Sequence, residues 1–555
     1  MKRLSTPVKL IINLVITLAA AAVYFYIELP PINARSMDFW IFVLLALALF
    51  CVLTLFTSGA DISRSSDPGN ILRHLWRVCR IPAILMAAII VFLLIGNLIS
   101  AVIFNAGAYS NLLVPEESDF TTDITEISYD QIPRLDKNSA NALANRKLGE
   151  LRDLVSQFEV DIESAQINYN DKPVRVTYLN YGDFFKWIKN TKAGIPAYIV
   201  TDMVNQEVTV VRTESGIKYS PSEFFNRDIT RHLRFNYPTK MFHNVNFEVD
   251  EEGTPYFVAS VLTKRIGIFG GNDIIGAVLC NAVTGECTYY DAKDIPTWVD
   301  RVFSADLLIE QYDYRGMYQN GFWNSIFGQS GCTVTTDGYN YIAQDDDVWV
   351  YTGITSVGGD QSNIGFILVN QRTKDARFYS IAGAEEYSAM YSAEGAVQQY
   401  KYTATFPLLL NIQGQPTYFM ALKDASSLVK MYAMVNVQQY QIVANGYSLA
   451  ECEENYEALL LKNGLIEAAP EGEGEGEGEG EAAEKEITGA ITDIREAVIS
   501  GTTIYFVSID TVSDKYIRLS AAENELAAIL NLGDTVTVTV KEEDMAKSII
   551  PAKLK

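Results

Sequence analysis

The sequence predicts an α+β protein in three parts: an N-terminal three-helix membrane anchor, a domain of antiparallel sheets and helices, and a small C-terminal β-barrel. Three observations carry this. Three uncharged apolar runs fall within residues 1–105. From about residue 160 apolar side chains recur with period two, broken by Asx- and Gly-containing turns. A Glu/Gly tract then separates the last segment from the rest. Of 555 residues, 48% are hydrophobic and 11% aromatic, enough to bury cores rather than remain disordered.

The runs Leu10–Ile27, Phe39–Thr57 and Ala83–Phe104 each approach the length that crosses a bilayer as a helix. The first also has features of a signal peptide, with "MKRLSTPVK" as a basic start and "LAAAA" as a cleavage zone. "VYFYIEL" continues apolar where a polar region should follow, which favours an uncleaved anchor. Lys2, Arg3 and Lys9 precede the first run, and Arg64, Arg73, Arg77, Arg80 and His74 lie between the second and third. The loop at 28–38 carries only Arg35 against Glu28 and Asp38. The positive-inside rule therefore predicts a cytoplasmic N-terminus and an extracytoplasmic location for everything after Phe104.

Charge divides the same way. Residues 1–105 carry eight basic and four acidic side chains, a net +4, which leaves −28 on the remainder of a chain whose total is −24. So acidic a surface excludes nucleic acid as a partner, because phosphates require cations.

Residues 106–135 are largely polar and predict a stalk. "DKNSANALANRKLGELRDLVSQF" then predicts an amphipathic helix capped by Asp136, its apolar face packed on its own domain. Residues 136–465 read as an extracytoplasmic α+β domain containing repeats. "AYIVTDMVNQEVTVV", "AVLCNAVTGECTYY", "FILVNQRTKDARFY" and "YAMVNVQQYQIVA" each predict a hairpin with an Asx residue at the turn: Asp202, Asn281, Asn370 and Asn436. The intervals of 79, 89 and 66 residues are too irregular for a solenoid or propeller. "SPSE" (Ser220, Glu223) and "SLAE" (Ser448, Glu451) predict capping boxes, and Asp294 with Pro296 predicts a helix start.

These units resemble the PepSY domain, whose strand-turn-strand contains an Asp/Asn-x-x-Thr-Gly-Glu turn. Asn281, Thr284, Gly285 and Glu286 match it, whereas the turns at 202, 370 and 436 lack the Thr-Gly. The resemblance implies an envelope-associated modulatory or binding module rather than a catalyst. Residues 466–486, with "EGEGEGEGEGE", predict an extended disordered linker. Residues 487–555 predict three strands, a short helix at "ENELAAILN" and two further strands, an order that looks like a small OB-type barrel. Its acidic setting points to a protein or glycan contact.

Candidate chemistry is sparse. Cys280 and Cys287 flank a hairpin turn and face each other, as a disulfide or as two small buried side chains; no further ligands in sequence favour a metal. His232 and His243 read as structural. Ser427 and Lys430 form an SxxK without companion motifs. Asp345, Asp346 and Asp347 lack the spacing of a calcium loop and read as a solvated strand end. "IGIFGGNDIIG" reads as a turn. "DYRGMYQNGFWNSIFGQSG" offers a contact loop through Tyr314, Tyr318, Phe322, Trp323 and Phe327.

The expectation is a multi-pass membrane-anchored binding or scaffold protein of the cell envelope, non-catalytic, with no cofactor and no metal. Its partners would be envelope proteins or glycans, together with the bilayer through three spans. An envelope hydrolase acting on peptidoglycan or peptides is the enzymatic alternative; a transmembrane sensor working through a partner is the third.

Overall fold

The structure, a computed structural model, describes residues 6–62, 68–124, 132–344, 346–358, 362–466, 484–499, 502–512, 515–520, 526–527, 530–541 and 549–554. The chain divides into two compact units, Met1–Ile466 and Glu467–Lys555.

The first unit opens with helices α1 (Thr6–Glu28), α2 (Met37–Ile62) and α3 (Pro68–Ser100). Each contains a stretch long and apolar enough to cross a membrane: Pro7–Glu28, Met37–Thr57 and Cys79–Ser100. Asn13 donates to Thr57 Oγ1 at 2.9 Å between α1 and α2, and Trp40 packs on Phe92 at 5.0 Å between α2 and α3. The third apolar run was expected to continue to Phe104. It breaks at Ala101, whose extended backbone (φ −65°, ψ 142°) begins a separate helix α4 (Val102–Ser110).

The expected stalk at 106–135 is a correction. Its polar composition hid a few apolar side chains that find a core. Residues 116–118 form a strand parallel to 377–379, and α5 (Phe120–Asp123) buries Phe120, with Ile124 and Ile132 also buried. Residues 125–131 lie outside the described residues. The predicted helix at 136–158 is shorter, α6 (Lys137–Gly149), its N-terminus capped by Asp136, which accepts from the Ser139 N–H at 2.9 Å. Beyond Gly149 the chain turns and enters a strand at Phe158. Ala140, Ala144 and Leu148 bury the inner face of α6 in its own domain.

Four antiparallel meanders follow, at 165–217, 241–291, 340–379 and 408–446. A short helix α7 (Phe184–Asn190) interrupts the first, and α8 (Ile229–Asn236), α9 (Ala305–Tyr318) and α10 (Glu386–Ala396) precede the second, third and fourth. Helix α11 (Leu449–Lys462) closes the unit. The repeat is thus helix plus four-stranded meander, and its last hairpin carries the Asx turn in all four copies. Asp202 accepts from the N–H groups of Val204 and Asn205, Asn281 from Val283 and Thr284, Asn370 from Arg372 and Thr373, Asn436 from Gln438 and Gln439. In three of them the fourth residue after the Asx is left-handed: Gln206, Gly285 and Lys374. Only the second turn uses glycine, which adopts that conformation without a steric penalty.

One of the two predicted capping boxes holds. The Glu451 N–H donates to Ser448 Oγ at 3.1 Å and the Glu451 carboxylate accepts from the Tyr447 N–H at 2.7 Å. Ser220 and Glu223 start no helix: both are buried, Glu223 accepts from Tyr181 OH and Trp187 Nε1, and Asp228 caps α8 instead. Asp294 ends a single 3-10 turn, and Ser304 caps the next helix.

Consecutive meanders stack. Phe257, Ala259 and Val261 join a core with the first meander, while Val258 and Leu279 point the other way into a core shared with α9 and the third. The third sheet alternates likewise: Val350 and Ile367 face back, Tyr351 and Phe366 face the fourth. Sheets covered on both sides read as continuous apolar runs, as in "GFILVN".

The second unit is a closed five-stranded barrel in the order 484–499, 502–509, 516–520, 549–554, 535–541. A register shift between Ile491 and Asp493 lets the long first strand serve both sides of the closure. Ile491, Val507, Ile517, Leu519 and Val538 fill its interior. Most of the predicted short helix lies outside the described residues, as does 467–483 of the predicted linker.

Candidate functional site

A cavity of about 550 Å³ opens where the first three meanders meet. Its lining comes from the start of α6, the first two strands of the first meander, the first strands of the second and third, the approach to α9, and Phe406 ahead of the fourth. Two arginines define it.

Arg175 sits on a strand whose neighbours Val174 and Val176 belong to the core, and it is 6% exposed. Its guanidinium donates to Ser164 O (3.1 Å) and Ser164 Oγ (3.3 Å) and reaches Gln166 Oε1 at 3.5 Å, while Nε has no partner. No carboxylate forms an ion pair with it among the described residues. Burial, and secondarily the charge of Arg301, lower its pKa to about 10, so it remains a cation at neutral pH. Arg301 donates to Tyr341 OH at 3.1 Å, lies 5.3 Å from that ring's centre, and also leaves Nε unpartnered. The Arg301 backbone is fixed by Asn246, which donates to its carbonyl at 3.1 Å, and by the buried Glu248 carboxylate, which accepts from the N–H groups of Asp300 (2.8 Å) and Arg301 (3.3 Å).

The acidic lining is mostly neutralised. Asp136 pairs with Lys423 at 2.5 Å and Glu163 with Lys137 at 2.6 Å; Asp306 remains, in the first turn of α9. Asn138, Asn244, Ser304, Tyr339 and Asn340 supply further polar groups. A buried cation without a counter-ion is costly, and the cost falls when an anion brings the missing charge and lone pairs. The chemistry available here is capture of an anionic group, within the volume range of small-ligand pockets.

Most of the residues singled out from sequence lie elsewhere. Cys280 and Cys287 are register partners one step from the Asn281–Glu286 hydrogen-bonded pair and form a disulfide. This is the close, non-hydrogen-bonded position of an antiparallel hairpin. His232 lies beside them, its Nε2 at 2.7 Å from Gly285 O, but the bridged sulfurs have no thiolate to offer a metal. His243 contacts Ser304 Oγ at 3.0 Å at the cavity edge, and burial lowers its pKa. Lys430 pairs with Asp424 at 3.4 Å. Asp347 is buried and held by Arg372, Asp346 accepts from Asn168, and Asp345 lies outside the described residues. The "IGIFGGNDIIG" hairpin docks on α3: Phe269 meets Phe92 edge to face at 5.9 Å, and Ser100 Oγ accepts from the Ile268 and Phe269 N–H groups.

The predicted contact loop is largely helical. Tyr314 and Tyr318 belong to α9, with Tyr314 against Tyr109 at 4.8 Å, and the chain continues through a π-turn. Tyr318 stacks on Phe322, and Trp323 and Phe327 stack at 5.9 Å with 61% and 79% exposure, so the surface is concentrated at its far end.

Sequence reasoning missed Arg175 and Arg301. A signal was present for Arg175: in "PVRVTYLNY" a cation sits within an otherwise uncharged β run. Compared with known proteins, the chain matches no protein-family model and no curated protein.

Proposed function

We propose that this protein is a non-catalytic, membrane-anchored binding protein of the cell envelope, whose sheet domain lies outside the cytoplasm and takes an anionic group of its ligand into the cavity. Arg175, buried beside Arg301 and in no ion pair among the described residues, carries the reading. The flanking charges of the three apolar helices supply the orientation. The recurrent Asx hairpins with their helices support kinship with PepSY-type binding modules, and the barrel's strand order, with its third and fifth strands parallel, supports an OB-type module. Neither carries function by fold alone. Trp323 and Phe327 supply exposed aromatic surface for a protein or glycan.

The test is titration of the purified full-length chain in detergent with inorganic phosphate, succinate and a short acidic peptide. At least one should bind, with at least tenfold weaker affinity in Arg175→Gln and in Arg301→Gln, and unchanged affinity in Lys147→Gln, outside the cavity. Equal affinity in all four proteins, or no binding by any probe, would refute the proposal.

A second reading, a sensor relaying through a partner, is favoured by the direct ties between the sheet domain and the helices. Arg35 donates to Lys264 O and Arg234 to Leu29 O, and Phe269 sits against Gly96. Ligand-dependent change in cross-linking between α1 and α3 would support it.

A further inference from the structure

Helix α7 and the loop before α8 present an aromatic surface that no side chain covers among the described residues. Phe184, Phe185, Ile188, Phe224 and Phe225 are all exposed, Phe185 by 79% and Phe225 by 61%. The patch is built rather than frayed. Phe184 packs on Phe224 at 5.1 Å, Trp187 lies 4.8 Å from Phe224 and 5.9 Å from Phe225, and Trp187 Nε1 donates to the buried Glu223 at 2.8 Å. Phe225 is held in the left-handed region (φ 56°), a strained conformation for a bulky side chain, and its display outward is the result.

What covers the patch follows from its position. Arg231 donates simultaneously to Phe225 O (2.6 Å) and Tyr26 O (3.1 Å) and lies over the Tyr26 ring at 4.4 Å. Tyr26 is in the last turn of α1, so Phe225 stands at the level where the first apolar stretch ends. Phe235, one turn further along α8, packs on Phe25 and Tyr26 while remaining 53% exposed. It therefore continues the apolar surface of α1 directly into the sheet domain. The rim has the complementary charge: Lys189, Lys192 and Arg227 accompany the patch, with Lys186 paired to Asp183 at 3.4 Å, in a chain whose residues beyond 105 carry −28. Aromatic side chains ringed by lysine suit the interface of a bilayer, where the rings sit at headgroup level and the ammonium groups meet anionic lipid.

We infer that the α7 patch is a second membrane contact. Phe184, Phe185, Ile188, Phe224 and Phe225 enter the interfacial layer of the leaflet nearest the sheet domain, and Lys189 and Lys192 engage anionic headgroups. The surface holds the sheet domain against the bilayer independently of the spanning helices.

The experiment places a nitroxide at Phe185→Cys, and in a separate protein at Glu251→Cys as an aqueous reference, in the full chain. The proteins are reconstituted into phosphatidylcholine vesicles with and without phosphatidylglycerol, and the label's collision rates with oxygen and with a water-soluble nickel chelate are compared, subtracting unsubstituted protein. The oxygen-to-nickel ratio at 185 should exceed that at 251 several-fold, and Lys189→Glu with Lys192→Glu should lower it in the anionic vesicles. A ratio equal to the reference would overturn the membrane contact. Shielding of 185 from both reagents would overturn it in favour of a protein partner or a second copy. An unchanged ratio in the lysine variant would overturn the headgroup contact.

Discussion

Replacing Arg175 with methionine should make the protein more stable when no anion is bound and less responsive when one is. The side chain is buried and its pKa falls from the usual arginine range to about 10, a penalty on the charged form of about 3 kcal/mol. Against this stand its bonds to Ser164 and the long contact to Gln166, together about 1–2 kcal/mol net. Methionine of similar length should therefore stabilise the chain by about 1–2 kcal/mol, which for a unit this large raises the melting temperature by roughly 1–3 °C. An anion at about 100 times its dissociation constant would add about 2.7 kcal/mol to the unsubstituted protein and little to the variant. The two melting curves should exchange order as anion is added, read by thermal unfolding in detergent. A variant that is less stable at every anion concentration would show that Arg175 is a structural tie, and the reasoning would fail.

Three other expectations concern parts of the first unit. Burial lifts the Glu248 carboxyl from 4.5 to about 7, so the folded state holds a proton the unfolded state has released, and stability falls as pH rises through that window. Denaturant unfolding of Glu248→Gln should lose about 2–3 kcal/mol of that pH dependence between pH 5 and 8; an unchanged slope would contradict the assignment. Joint replacement of Cys280 and Cys287 by serine opens a short loop and should cost about 2 kcal/mol, with mass spectrometry of the unsubstituted protein showing the bridge intact. Gly285→Ala should destabilise by about 1–2 kcal/mol, because φ is 78° and a Cβ would strike the Tyr219 ring; a neutral effect in thermal unfolding would refute this.

Local features were legible in the sequence and contacts distant along the chain were not. The Asx hairpins could be read because the side chain that makes each turn bonds N–H groups two and three residues on. Ser448 and Glu451 could be read for the same reason. The sequence of Ser220 and Glu223 is equally good for a cap, but Tyr181 and Trp187, far away in the chain, claim the carboxylate. The segment 106–135 misled because a few apolar residues in a polar stretch suffice once a ready sheet edge and core receive them. The cavity is the extreme case. Arg175 and Arg301 belong to no motif and meet only through the stacking of successive sheets. The disulfide lay between: its pairing followed from hairpin register, while the choice between a bond and two thiols did not.

The stacking also restricts how such a chain can be shortened or lengthened. Each inner sheet is glued to a different neighbour on either side, so excising one copy would press together two surfaces never shaped for each other. Lineages that gain or lose a copy should do so at the end of the pile farthest from α1, where a single apolar face is all that must be re-covered.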